Sequence, residues 1–141
     1  MSAERVLFVF CWLEPIEYRE AYEQQKRLWS LRLSGEIPDS LLLLEHPPTF
    51  TIGKSGKLEN LLLTKEELAQ RGISLFFSDR GGDITYHGPG QLVAYPIIDL
   101  RSWGKDIHRY VRSLEEAVIR TLADLSIVAG RDEKHIGVWV G

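Results

Sequence analysis

The stretch from Arg80 to Gln91 reads R-G-G-D-I-T-Y-H-G-P-G-Q, and no other part of the chain limits its fold as tightly. It holds Gly81, Gly82, Gly88 and Gly90, four of the 12 glycines, with Pro89 between the last two. Glycines at this density belong where a backbone turns sharply or where something approaches it closely. Gly88-Pro89-Gly90 predicts a rigid turn. In the segment before it, Thr85 and His87 should face one side of a strand and Tyr86 the other. Arg80 sets a permanent cation beside the first glycine pair. Gln91 adds an amide that donates and accepts. A bare Arg-Gly-Gly is accounted for by a hairpin whose polar groups satisfy its own turn. Here Arg, Thr, Tyr, His and Gln converge on a flexible backbone, which marks a binding site.

The flanking pattern supplies a scaffold. Arg5 to Leu13 is dense in β-branched and aromatic residues and reads as a strand. Pro15 suits the first turn of a helix. Tyr18, Ala21, Tyr22, Gln25, Leu28, Trp29 and Leu33 then fall three or four apart, until Gly35 and Pro38 stop the helix. Ser40 to Glu45 predicts a buried strand broken by Pro47 and Pro48, and Thr49 to Gly53 a second short one. The loop 54–60 follows. Thr64 with Glu67 makes a capping box, and Gly72 ends that helix. Ile73 to Phe77 and Gln91 to Ile98 read as strands. A stripe from Ile107 through Tyr110, Val111, Leu114 and Val118 to Leu125 predicts a long helix with one core-facing side. Ile136 to Val140 reads as a last strand. The whole predicts an α/β (α+β) fold, a mixed β-sheet covered by helices, in one domain over 1–141. A domain seldom stops on an apolar strand, because the next edge is left unpaired.

Composition narrows the class. With 44% hydrophobic and 26% charged residues the 141-residue chain is of ordinary globular make-up. Its apolar runs are too short to span a bilayer, and no secretory signal opens it. A net charge of -3 argues against a nucleic-acid binder. The single cysteine, Cys11, excludes an internal disulfide and reads as a buried, inert thiol between Phe10 and Trp12. His108 and His135 show no metal-ligand spacing. A cytoplasmic protein is the simplest reading. Lys26 with Arg27, and Lys54 with Lys57, read first as solvated faces.

The same residues resemble a known family. R-G-G-D-I-T-Y-H-G-P-G-Q-L-V-A-Y-P looks like the signature of the lipoyl(octanoyl) transferases. Glu45-His46-Pro47, leading through Thr49, Phe50 and Thr51 to Gly53, resembles the family's E-H-x-P-x-[FY]-T-x-G segment. Tyr18, Ala21 and Gln25 fit its Y-x-x-A-x-x-x-Q spacing, and Gly137 to Val140 its G-V-W-V strand. The resemblance covers nearly the whole chain.

It implies a biotin/lipoate protein ligase-like domain that moves an octanoyl group from octanoyl-acyl carrier protein. The acceptors are lipoyl domains of 2-oxoacid dehydrogenases and the glycine cleavage H protein. The family uses a cysteine acyl-enzyme, with no cofactor, no metal, no nucleic acid and no membrane. Arg80, Gly81, Gly82, Asp83, Ile84, Thr85, Tyr86 and His87 are then expected to line the acyl-substrate site. His87 is open between substrate orientation and a structural hydrogen bond. His46 reads first as a strand-end residue, and Tyr95 and Pro96 as packing. The family's K-I-x-x-I-G lysine and P-C-G cysteine follow the G-V-W-V strand and are expected beyond Gly141, so no catalytic residue is assigned here. The chain is expected to be incomplete at its C-terminus and inactive alone. Lys54 and Lys57 are candidates for steering acidic partners. The competing readings are an ATP-dependent lipoate or biotin protein ligase and a non-catalytic acyl-binding fragment. Ligases usually carry a double arginine and a longer glycine run, whereas Asp79 precedes Arg80 and Asp83 follows Gly82.

Overall fold

The computed structural model describes residues 6–141; the expected first strand's Arg5 lies outside them. The chain divides into two compact units, Met1–Ile98 and Asp99–Gly141.

Alternation builds the centre of the first unit. In β2 (Asp39–Leu44) Ser40, Leu42 and Leu44 are buried while the residues between them are half-buried, the period of two that a covered strand requires. β1 (Leu7–Cys11) runs parallel to β2 on one side, and β6 (Val93–Ile97) antiparallel on the other. A second mixed sheet has β3 (Thr49–Ile52) at its centre, parallel to β4 (Ser74–Phe77) and antiparallel to β5 (Ile84–His87). The expected mixed α/β architecture is present, with its strands distributed over separate sheets.

α1 (Tyr18–Ser34) supplies the cover. Ala21, with Ile16 just before the helix, packs against Leu42 and Leu44, and Trp12, Leu28, Val93, Tyr95 and Ile97 close around them. Pro15 lies in the approach to the helix, and Glu17 is its N-cap. The helix stops at Gly35, whose φ of 81° is one that a side chain disfavours. Arg32 near its end pairs with Asp39 at 2.7 Å and so anchors it to the start of β2. α2 (Lys65–Gln70) opens on the expected capping box, with Thr64 Oγ1 accepting from the Glu67 amide and Glu67 returning a bond to the Thr64 amide.

β1 corrects one expectation. All five of its residues are exposed, Cys11 among them, so the thiol is not buried. β1 is an edge strand, and each of its residues stays more than a third exposed. Residue type marked the strand but carried no information about its cover.

In the second unit Asp106 caps α3 (Ile107–Asp124) by accepting from the Arg109 amide at 2.9 Å. β7 (Ala129–Arg131) and β8 (Val138–Val140) pair antiparallel, so the last strand has a partner that Ala-Gly-Arg did not announce. The apolar stripe of α3 is not wholly covered: Ile107, Leu114, Val118 and Leu125 are exposed. The buried residue of the helix is Glu115, which accepts from the Gly137 amide at 3.0 Å and pairs with Arg112 and Arg131. A charged group is buried only with such partners.

Candidate functional site

Thr51 sits in the middle of β3, fully buried, opposite Thr85 of β5. A buried threonine needs partners for its oxygens. Arg80 provides them. Its Nε and Nη2 donate to Thr51 Oγ1 at 3.1 and 2.9 Å, and Nη2 also donates to the Thr51 carbonyl at 2.8 Å. Further donations to the carbonyls of Asp83 and Gly81, each at 2.8 Å, fold the loop around the guanidinium. The planar fork of arginine suits several fixed acceptors at once.

This loop is bound edge to edge to the one after β3. The Gly53 amide donates to the Asp83 carbonyl, the Lys54 amide to the Arg80 carbonyl, and Ser55 Oγ to the Gly82 carbonyl. The Asp83 carboxylate accepts from the Lys57 amide and from Asn60. The three glycines here differ. A Cβ on Gly53 would stand 2.3 Å from the Gly82 carbonyl oxygen, so only glycine fits. Gly82 has a φ of +83°. Gly81 has neither constraint, and a Cβ there would meet nothing within 4 Å, so its backbone faces open space.

His87 and His46 stand side by side at the other end of the β3–β5 pair, ring centroids 5.5 Å apart. The Gln91 amide donates to the Tyr86 carbonyl and presents its oxygen to His87 Nδ1 at 2.8 Å. That places the hydrogen of His87 on Nδ1 and leaves Nε2 toward the Thr51 hydroxyl, 3.5 Å away. His46 is fully buried. Its Nδ1 donates to the Ile16 carbonyl at 2.7 Å, and its Nε2 accepts from the Tyr95 hydroxyl at 2.8 Å. Burial holds the His46 imidazole below its ordinary pKa, opposed by the Ile16 carbonyl and reinforced by His87. Burial, with Tyr18 beside it, pushes the Tyr95 phenol up, so it stays a donor. Tyr18 leans over both histidines at 4.9 and 5.6 Å and over Phe76 at 4.8 Å. The Glu45 carboxylate fixes the Gly88-Pro89-Gly90 turn by accepting from the Gly90 amide at 2.7 Å.

The expected site residues therefore divide. Arg80, Gly81 and Gly82 lie beyond the Ile52–Ile84 end of the β3–β5 pair, and His87 sits at its other end opposite Thr49. The Arg80 guanidinium and His87 meet at the Thr51 hydroxyl, and Thr85 lies opposite Thr51. Asp83 ties two loops together, and Ile84 pairs with Ile52. Tyr86 points to the other face, against Phe50, and is 46% exposed. Thr51 stands in the sequence only as part of the E-H-x-P-x-[FY]-T-x-G resemblance, with no role at the site, and Tyr95 only as packing. The alternation Thr49-Phe50-Thr51 was the available signal, since it puts two hydroxyls on one strand face. Along α1 a groove of about 370 Å³ is lined by Tyr22, Gln25, Lys26, Trp29, Asp79 and Ile97. Among the described residues no His, Cys, Asp and Glu cluster suits a metal ion, and no helix is long and apolar enough to cross a membrane.

Residues 17–141 match the lipoyl protein ligase A/B catalytic domain. The chain belongs to that family. Octanoyltransferases of Caldicellulosiruptor saccharolyticus and Solibacter usitatus are 56% and 55% identical to it over 133 and 129 residues. These alignments cover 93% and 92% of this chain but 57% and 59% of those proteins, so the chain spans little more than half their length. Solved structures carry the same fold. LipL1 of P. falciparum in complex with lipoate superposes with a TM-score of 0.69 at 17% identity, over 96% of this chain and 41% of that one. The bi-partite lipoate protein ligase of Thermoplasma acidophilum, studied with its E2 lipoyl domain, gives 0.57 at 18% identity, over 92% and 49%. The lipoyl protein ligase A/B fold is thus established for the chain.

Proposed function

We propose that this chain forms the acyl-binding part of an octanoyltransferase of lipoate assembly. The donor is octanoyl-acyl carrier protein, and the acceptor is a lysine of lipoyl domains of 2-oxoacid dehydrogenases and the glycine cleavage H protein. The names of its relatives at 50–56% identity favour acyl transfer over ATP-dependent ligation. One observation carries the reading at the site: Gly81 is free of any packing demand, yet its carbonyl is held by Arg80, whose guanidinium also binds the Thr51 hydroxyl that His87 faces. Such a backbone suits a thioester carbonyl laid against it, with Arg80, Gly82, Thr85 and His87 fixing its surroundings. The α1 groove offers apolar walls of Tyr22, Trp29 and Ile97 to the tail, each buried methylene contributing about 0.8 kcal/mol.

In this scheme a cysteine thiolate attacks the thioester carbonyl and the carrier's thiolate leaves. The lysine amine then attacks the acyl-enzyme, an amide forms, and the cysteine thiolate returns. Residues 1–141 contain neither the K-I-x-x-I-G lysine nor the P-C-G cysteine of the family, and we assign no catalytic residue among them. The match over 17–141 runs through both units, which supports one catalytic domain, and the chemistry assumes a cytoplasmic setting.

Titration of the ¹⁵N-labelled chain with octanoyl-pantetheine tests the site. Amide shifts should concentrate at Arg80 to His87, and no octanoyl should reach a lipoyl domain. Unmoved amides there would remove the site. Transfer by these residues alone would remove the external nucleophile. Octanoyl adenylate formed from octanoate and ATP would favour a ligase.

A further inference from the structure

Arg109, Arg112 and Arg120 recur along α3 at intervals that keep them on one helix face. With Arg131 of β7 they wall a groove of about 480 Å³, in which Ser113 and Ala117 are the small residues between them. Four guanidiniums meet one carboxylate in this lining, that of Glu116, although the whole chain has a net charge of -3. Glu115, buried, engages Arg112 at 3.1 Å and Arg131 at 3.0 Å, while Glu116 holds Arg120 and Arg131 at 2.9 Å each. Arg109 has no ion pair among the described residues. Arg112 and Arg120 remain 60% and 77% exposed. The internal pairs therefore set the arginines in position without neutralising the groove.

The shape of the array selects the ligand. Arg109 to Arg120 covers roughly 16 Å of helix axis at about 1.5 Å per residue. A single phosphate meets one or two of these cations. Carboxylates three and four apart on a partner helix stand about 5–6 Å from one another, the spacing of Arg109 and Arg112. Small side chains between the arginines let such a helix come close.

We propose that this face of α3 docks an acidic helix of a partner protein, and that the partner is the carrier protein that delivers the acyl group. The partner's identity rests on the octanoyl-transfer reading; the surface does not. Exposed charges of this kind act on encounter rate and specificity, and they weaken as salt rises.

The test titrates the 1–141 chain with octanoyl-acyl carrier protein and, separately, with a glutamate-rich helical peptide. Both should bind with salt-dependent affinity. Arg109→Glu/Arg120→Glu should weaken both by roughly tenfold or more, with a circular dichroism melt lowered by no more than the lost Glu116–Arg120 pair accounts for. Arg109→Lys should stay near wild type, and Lys54→Glu/Lys57→Glu should have the smaller effect. Binding of the peptide but not the carrier would keep the groove and overturn the carrier as partner. Affinities within about twofold of wild type in the double reversal, or complete displacement of the peptide by inorganic phosphate at constant ionic strength, would overturn the docking surface.

Discussion

Arg80 holds Thr51 by both its hydroxyl and its carbonyl, across 29 residues of sequence. The contact needs a fork, not only a charge. Arg80→Lys should therefore behave like Arg80→Ala: each loses about 2 kcal/mol in urea unfolding, because buried acceptors are left unmet. Octanoyl-pantetheine shifts at Gly81 and Gly82 should fade in both. A lysine variant that keeps wild-type stability and shifts would show that charge alone suffices.

Gly53 and Gly81 should respond oppositely to the same methyl group. Gly53→Ala drives a Cβ into the Gly82 carbonyl, 2.3 Å away, and should destabilise the chain by about 2 kcal/mol or more. Gly81→Ala has open space around it and should melt like wild type. Gly81→Val should also fold while losing the acyl ligand. A folded Gly81→Val that binds octanoyl-pantetheine normally would detach this glycine from the site.

His46 gives the first unit a dependence on pH. Its folded pKa lies below its ordinary value, so the unfolded chain takes up a proton first as the solution is acidified. Stability should be full above about pH 6.5 and fall below it, until the folded pKa is passed. His46→Asn should flatten that slope in unfolding measured from pH 8 to pH 5. An identical slope in the variant would assign the effect elsewhere.

Glu115 joins α3 to the β7–β8 ribbon through the Gly137 amide and the Arg131 guanidinium. Glu115→Ala should speed hydrogen exchange at Val138 to Val140 and leave β2 and β3 amides unchanged. Protection that survives in the ribbon would mean that strand pairing suffices.

Much of this was legible because it is local. The stripe on α1, the stop at Gly35 and the Thr64–Glu67 box all depend on residues within a few positions of one another. The glycine-rich segment showed itself by density. The Thr51 anchor did not, because its partner lies 29 residues away and a threonine in a strand is ordinary. His46 and Tyr95 are 49 residues apart, so their bond is a product of the β2–β6 pairing that brings their neighbourhoods together. The stripe on α3 named an apolar face but not its surroundings, and Glu115 stayed hidden because its arginines come from a helix and a strand. Cys11 was misplaced for a related reason: whether a strand is central or at an edge follows from pairing, not from its own residues.

The close approach of Gly53 to Gly82, with the backbone bonds from Gly53 to Asp83 and from Lys54 to Arg80, ties the two loops to one another. Whatever presses on the second glycine pushes on the first, and through Ile52 on the end of β3. Occupancy of the turn and resistance to heat then draw on the same contacts. The melting temperature of the chain should climb as octanoyl-pantetheine is added, which makes a simple thermal scan a gauge of ligand uptake.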